Sequence, residues 1–292
     1  MAQRNFGLVW QNASNCKEKK TSNMQDLSKS SFIKDIITRA SEIRDNVIVI
    51  KLSSVIIEND ALLTNFVENI KLLSICGSKI VIIHDYTTLV EETLKLFGFD
   101  GLINIPQISN DKRNQVIEMV LSGHINKLIA SKLSNQGCCA IGISGKDGNL
   151  IQAKGSKLSW KKDSNLIINA PIINNEILLS FEDSNIIPVI SPIATDENDQ
   201  THLLDVNLTT SVIASSLGAD HLILPKDDSV SYEKDIVIND VYILKQIMDI
   251  NKSSSLLKSA FYALENNTEH VHLVNPTIND SIIFSLFKSH LH

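Results

Sequence analysis

Two short apolar runs stand out in the first third of the chain, Val47-Ile48-Val49-Ile50 and Ile80-Val81-Ile82-Ile83. Runs that are apolar on both faces suit strands buried on both sides of a parallel sheet. Between them Leu62, Leu63, Phe66, Ile70, Leu72 and Leu73 recur at roughly helical spacing. Strand, helix and strand make a βαβ unit, for which a right-handed crossover is expected. Sheets of this kind bind ligands beyond the carboxyl ends of their strands. Those ends carry Lys51-Leu52-Ser53-Ser54 and His84-Asp85-Tyr86-Thr87, so a candidate site starts there.

The same pattern continues downstream. An amphipathic segment from Ser28, with Phe32, Ile33, Ile36, Ile37 and Ile43 on one side, predicts a helix leading into the first strand. Leu89 to Phe97 suits a helix ended by Gly98, and Leu102 to Ile105 a short strand. Asn110 to Gln136 predicts a long helix with a break or tight packing at Gly123, because an internal glycine costs about 1 kcal/mol relative to alanine. Cys138 to Ile143, Ile187 to Ile190, His221 to Leu224 and His270 to Val274 read as buried strands. Short β segments are expected at 149–154 and 166–170, and helices at 206–217, 241–250, 254–265 and 280–288. Strands alternate with helices almost throughout, so the fold class is α/β.

Composition narrows the function classes. A net charge of −6 leaves no basic surplus to neutralise phosphates, which argues against a nucleic-acid partner. No apolar run approaches the roughly 18 residues that span a membrane, and the polar first 25 residues lack a secretory signal. Cys16, Cys76, Cys138 and Cys139 show no zinc-like spacing, so a reduced cytoplasm is the expected location. Residues 1–27 read as a loose extension.

Val116-Ile-Glu-Met-Val-Leu-Ser-Gly-His-Ile-Asn-Lys127, followed by Ala140-Ile-Gly-Ile-Ser-Gly-Lys-Asp-Gly148, resembles the "VEMVL.G.VN" helix and "GLSGKDG" loop of the N-acetylglutamate kinases. Ile187-Pro-Val-Ile-Ser-Pro-Ile193 is similar to their "IPVIAPIG" strand, and Ile213 to Leu224 to "IAAALGADKLILL". The matches run in order over roughly residues 28 to 287. The resemblance implies an amino-acid-kinase fold over residues 28–292, an open αβα sandwich with a mainly parallel central sheet. Its 28–185 half would bind the acyl amino acid and its 186–292 half the nucleotide. The implied chemistry is transfer of the γ-phosphoryl of ATP, with Mg²⁺, to the side-chain carboxylate of N-acetyl-L-glutamate in arginine biosynthesis. The resemblance also implies a homo-oligomer, a dimer or hexamer.

The implied site departs from the family pattern at most positions. Lys51 matches the lysine that meets the transferring phosphoryl group, but Ser53 and Ser54 replace the two glycines that follow it. His84 matches the histidine of His-Gly-Gly-Gly, and Asp85, Tyr86 and Thr87 replace the glycines. Glycines there reach positive φ and let N–H groups approach an anion, whereas Asp85 brings a carboxylate. The substrate arginine falls on Gln107, which cannot reproduce a bidentate guanidinium contact. The "N-x-N-A-D" segment falls on Leu203 to Asn207: Leu203 replaces an asparagine, Asp205 is polar, and Asn207 replaces the aspartate that organises the lysines. The second lysine aligns without gaps on Leu256, with Lys258 the alternative after a shift. In the nucleotide loop Asp227 survives, next to the nucleotide-binding candidate Lys226, while the glycine is lost.

Phosphoryl transfer rests on positioning and on neutralising charge. Two expectations therefore stand side by side: an acetylglutamate kinase, and a catalytically inactive relative that binds a small molecule, regulates a partner or serves in an assembly. Other features have plainer readings. The loop Ser144 to Gly148 lacks P-loop spacing and reads as a structural turn. His270 and His272 share a strand face without a third ligand in sequence, and read as structural. Cys138 and Cys139 read as packing. Asp85, Asp205 and Asp227 would make a Mg²⁺ site only by converging.

Overall fold

The computed structural model describes residues 34, 36–99, 111–154, 159–160, 167–168, 170–227, 229–230, 235–250 and 254–288. The chain divides into a short unit, Met1–Arg44, and a large one, Asp45–His292. In the short unit, residues 36–42 are helical and Ile36 and Ile37 are exposed.

The large unit is built on a seven-stranded sheet: β1 (Val47–Leu52), β2 (Lys79–His84), β3 (Ala140–Ser144), β4 (Ile187–Ser191), β5 (His221–Pro225), β6 (Ile236–Ile238) and β7 (His270–Val274). Their order is β6-β7-β5-β1-β2-β4-β3, and every pairing is parallel except β6 with β7. β1 is therefore central, and Ile48, Val49, Ile50 and Leu52 are fully buried. Burial on both faces explains why this strand reads as an unbroken apolar run. The β1–β2 register pairs Val47 with Lys79 and Leu52 with His84. The two strands thus end level, and the segments beginning at Ser53 and Asp85 leave the same edge together.

The helices are α1 (Asp60–Cys76), α2 (Thr88–Leu96), α3 (Asp111–Glu118, continuing through Met119–Ile125 to Asn126–Asn135), α4 (Asn175–Asp183), α5 (Val206–Leu217), α6 (Val241–Ile250), α7 (Ser255–Glu265) and α8 (Ser281–Lys288). A second sheet of four short strands runs 201–203, 193–195, 151–152, 172–173. Asn59 caps α1, its Oδ1 accepting from the N–H of Ala61 and of Leu62, and Gly77 closes it at φ 92°. α5 packs against β1, β2 and β5, and α7 packs on α5. α5 is thereby pinned to the middle of the sheet.

The break expected at Gly123 is a change of helix type: Met119–Ile125 winds as a π-helix. A methyl at Gly123 would meet nothing within 4 Å, so tight packing is not what places the glycine there. The wider turn coincides with a hydrogen bond between the hydroxyls of Ser122 and Ser191, at 2.7 Å. One turn on, Asn126 donates to the carbonyls of Ile143 and Val189, tying α3 to two strands. The strand expected at 102–105 lies outside the described residues.

Candidate site at the carboxyl edge of the central strands

Lys51 is 7% exposed although it is charged. Burial of an ammonium is tolerated only where it is paired and hydrogen-bonded, and two residues provide this. The Asp85 carboxylate lies 3.0 Å from Nζ, and Nζ donates to Oδ1 of Asn207 at 2.7 Å. Asp85 comes from the end of β2 and Asn207 from the first turn of α5, 156 residues along the chain from Lys51. The fold thus brings three of the residues singled out in sequence onto one point.

The turn after β2 is closed on itself. The Asp85 N–H donates to the Leu52 carbonyl at 2.8 Å, extending the β1–β2 ladder by one step. The Tyr86 N–H donates to Oδ1 of Asp85 at 2.9 Å. Two of the three N–H groups that a glycine turn would offer to an anion, those of residues 85 and 86, are thus consumed, and the Asp85 carboxylate sits on the cation. The Tyr86 hydroxyl is pushed up from its usual value, first by burial and then by the carboxylates of Asp85 and Asp205. Asp205 caps α5, its Oδ1 accepting from the Leu208 N–H at 2.9 Å.

Three buried polar side chains in these same segments have an atom without a partner. His84 is fully buried, its Nδ1 is hydrogen-bonded to the Asp85 carbonyl at 3.0 Å, and its Nε2 has no hydrogen bond. Burial holds its pKa down to about 4, outweighing the Asp85 carbonyl and carboxylate. The hydroxyls of Ser53 and Thr87 are likewise buried and unpartnered. Ser54 opens the helical turn Ser54–Ile57.

The remaining candidates take other positions. Leu203 pairs with Ile193 in the second sheet and is half-buried. Lys226 lies 3.6 Å from Asp235, an ion pair at the β5–β6 connection. Asp227 accepts from the N–H and hydroxyl of Ser229, whose hydroxyl also meets that of Ser254, the cap of α7. Leu256 is a fully buried core residue, and Lys258 is half-buried on α7. Gln107 lies outside the described residues.

Mg²⁺–nucleotide makes two demands: acceptors for the metal and donors for the phosphates. Among the described residues no three His, Cys, Asp or Glu side chains are grouped to hold a metal. Both oxygens of Asp85 are engaged by Lys51 and Tyr86, and Asp227 is engaged by Ser229. Among the described residues these carboxylates do not fit a Mg²⁺ ion.

Other features have structural explanations. The Ser144–Gly148 loop is tied internally, with Oδ2 of Asp147 accepting from the N–H and hydroxyl of Ser144. His221 supplies β7 with a third histidine that sequence reading did not connect: His221 meets His272 at 3.0 Å, and His272 meets the Ser285 hydroxyl at 2.7 Å. A cavity of about 320 Å³ opens at the opposite edge of the sheet, between Val47, Lys79, Leu178, Glu182, Pro188 and Leu217.

The family model described as "Amino acid kinase family" matches residues 46–275. An acetylglutamate kinase of Campylobacter hominis is 32% identical over 84% of this chain and 88% of its own length. One from Archaeoglobus fulgidus is 28% identical over 82% and 89%. Among solved structures, the N-acetylglutamate synthase of Neisseria gonorrhoeae superposes with a TM-score of 0.69 at 17% identity, over 88% of this chain. The chain spans only 61% of that synthase. Giardia carbamate kinase superposes with a TM-score of 0.57 at 14% identity, over 82% of this chain and 96% of its own.

Proposed function

Because the chain belongs to the amino acid kinase family, we propose that the edge around Lys51 is its small-molecule site and that this site binds without transferring phosphoryl. One observation carries the reading: the Asp85 carboxylate, 3.0 Å from Nζ of Lys51, stands on the cation that an anionic ligand would need. Catalysis of phosphoryl transfer is almost entirely electrostatic stabilisation and alignment. Here the lysine is neutralised by the protein, and the turn beside it has the N–H groups of Asp85 and Tyr86 committed to Leu52 and Asp85. Such a site holds a small ligand by exchange of polar contacts, and its output is occupancy.

A second reading, acetylglutamate kinase activity, is favoured by a different observation. The family pattern has aspartate at 207 and glycine at 85, whereas this chain has Asn207 and Asp85, so one carboxylate still partners Lys51 from the other side. Such a swap keeps the lysine fixed in place, which a kinase requires.

ADP release with Mg-ATP and N-acetyl-L-glutamate, run beside Lys51→Met, separates the two. The binding reading expects no release above that of Lys51→Met. Release that depends on N-acetyl-L-glutamate and is lost in Lys51→Met would overturn it in favour of the kinase. Because ligands that bind only the folded state raise its stability by RT ln(1 + [L]/Kd), thermal unfolding reads occupancy independently of turnover.

A further inference from the structure

We infer that the cavity at the amino edge of the sheet is a second small-molecule site, and that it takes an organic ammonium ion with a compact apolar body. Its volume of about 320 Å³ lies at the lower end of the range for ligand pockets. Its walls are mainly aliphatic, with Val47 from β1, Leu178 from α4, Pro188 from β4 and Leu217 from α5. Such walls hold the body of a ligand and leave its orientation to a few polar groups.

The topology decides which charge this edge prefers. Each crossover helix runs back against the parallel strands, so it ends where the strands begin. α1, α4 and α5 finish at Cys76, Asp183 and Leu217, and Gly77, Glu182 and Leu217 from those ends line the cavity. A helix carries roughly half a negative charge at its C-terminus, on carbonyls without intrahelical partners. Three such ends around one cavity favour a cation.

α4 already holds one. Lys79, the first residue of β2, reaches the end of α4 and donates from Nζ to the Glu182 carbonyl at 3.3 Å and to Oδ1 of Asn185 at 2.6 Å. Two of its three N–H donors are spent there. Its charge is offset by the Glu182 carboxylate, which is half-buried in the cavity wall and makes no hydrogen bond or ion pair among the described residues. Asp220 adds a second carboxylate, its Oδ2 accepting from the N–H of the wall residue Val47 at 2.6 Å. Among the described residues Lys79 is the only cation lining the cavity, so the carboxylates and helix ends together outweigh it. An apolar body with an ammonium head answers both halves of the site.

Thermal unfolding of the full chain with cyclohexylammonium, cyclohexanol and cyclohexanecarboxylate tests this, because the three share a body and differ in charge. The ammonium is expected to stabilise the chain with a Kd at least fivefold below that of either other compound. In Glu182→Gln its affinity is expected to fall at least threefold, and in Leu217→Trp, which fills the cavity, to be lost. Equal or better binding of the alcohol or the carboxylate overturns the inference. So does the absence of any shift with the ammonium, or a shift that Glu182→Gln leaves unchanged. The ligand comparison uses the unmodified chain and stands whether or not Leu217→Trp folds. The Lys51 edge lies at the other end of the strands, and acetylglutamate-dependent ADP release decides its reading separately.

Discussion

Lys51 and Asp85 show how a single replacement changes what a buried charge can do. The side chains are 9% and 17% exposed, so neither charge is well solvated on its own. Removing one partner of a buried pair strands the other, whereas removing both often costs little. Asp85→Ala is expected to lower stability by roughly 2–4 kcal/mol, and Lys51→Met combined with Asp85→Leu to recover most of that loss. Urea unfolding of the two variants measures the difference. His84 carries a pH signature at the same strand end. Its pKa of about 4 lies below the unfolded value of 6.5, so the unfolded chain takes up the proton first. The contribution is complete above pH 6.5 and is lost as pH falls toward 4. Between pH 7 and 5 the native chain should lose about 2 kcal/mol more than His84→Gln, read from urea midpoints at both pH values. Lys51, Asp85 and Asn207 were each legible in sequence as candidates through family resemblance. The resemblance also implied that position 207 meets the lysine, but residue spacing alone could not show it, because a separation of 156 residues carries no local signal.

At the level of elements, legibility followed burial. The strands 47–52, 79–84 and 187–191 are buried on both faces and declare themselves as apolar runs. The strands at 193–195 and 236–238 have three residues each, too few to show a period, and sequence reading passed over both. The π segment of α3 was visible only as a misplaced glycine, because a widened turn shifts the apolar stripe without erasing it. The Ser144–Gly148 loop needs its first glycine for space. A methyl on Gly145 would lie 2.4 Å from the Ile193 carbonyl and 2.9 Å from the Ile151 Cβ, and a backbone oxygen cannot step aside as a flexible side chain can. Gly145→Ala is therefore expected to destabilise by roughly 1–3 kcal/mol, measured by chemical denaturation. The hydrogen bonds that Asp147 accepts from Ser144 restrain the same loop from the other side.

Over the whole molecule, the alternation of strand and helix was enough to reach an α/β class and a mainly parallel sheet, and the strand order was what it withheld. That order decides whether the 28–185 and 186–292 segments are separable. β4 begins at Ile187 yet lies between β2 and β3, paired to β2 through Ile82 and Ile83 and to β3 from Ala140 to Ser144. A chain stopped at residue 185 would leave a gap in the middle of its own sheet, with two sets of ladder hydrogen bonds unmade and the apolar faces of β2 and β3 uncovered. A chain begun at 186 would carry β5 without β1, the strand that buries Leu222 and Ile223 from the other side. Backbone groups left unpaired in an apolar interior are costly at every position, and exposed apolar strand edges invite aggregation. Expressed alone, 45–185 and 186–292 are both expected to be insoluble or to lack a cooperative unfolding transition. Co-expressed, they are expected to assemble into a complex that unfolds as one, because every strand then has its neighbours. A sharp transition from 45–185 by itself would show that β2 and β3 can close directly on one another, and that the crossover through β4 is not what holds the Lys51 edge in shape.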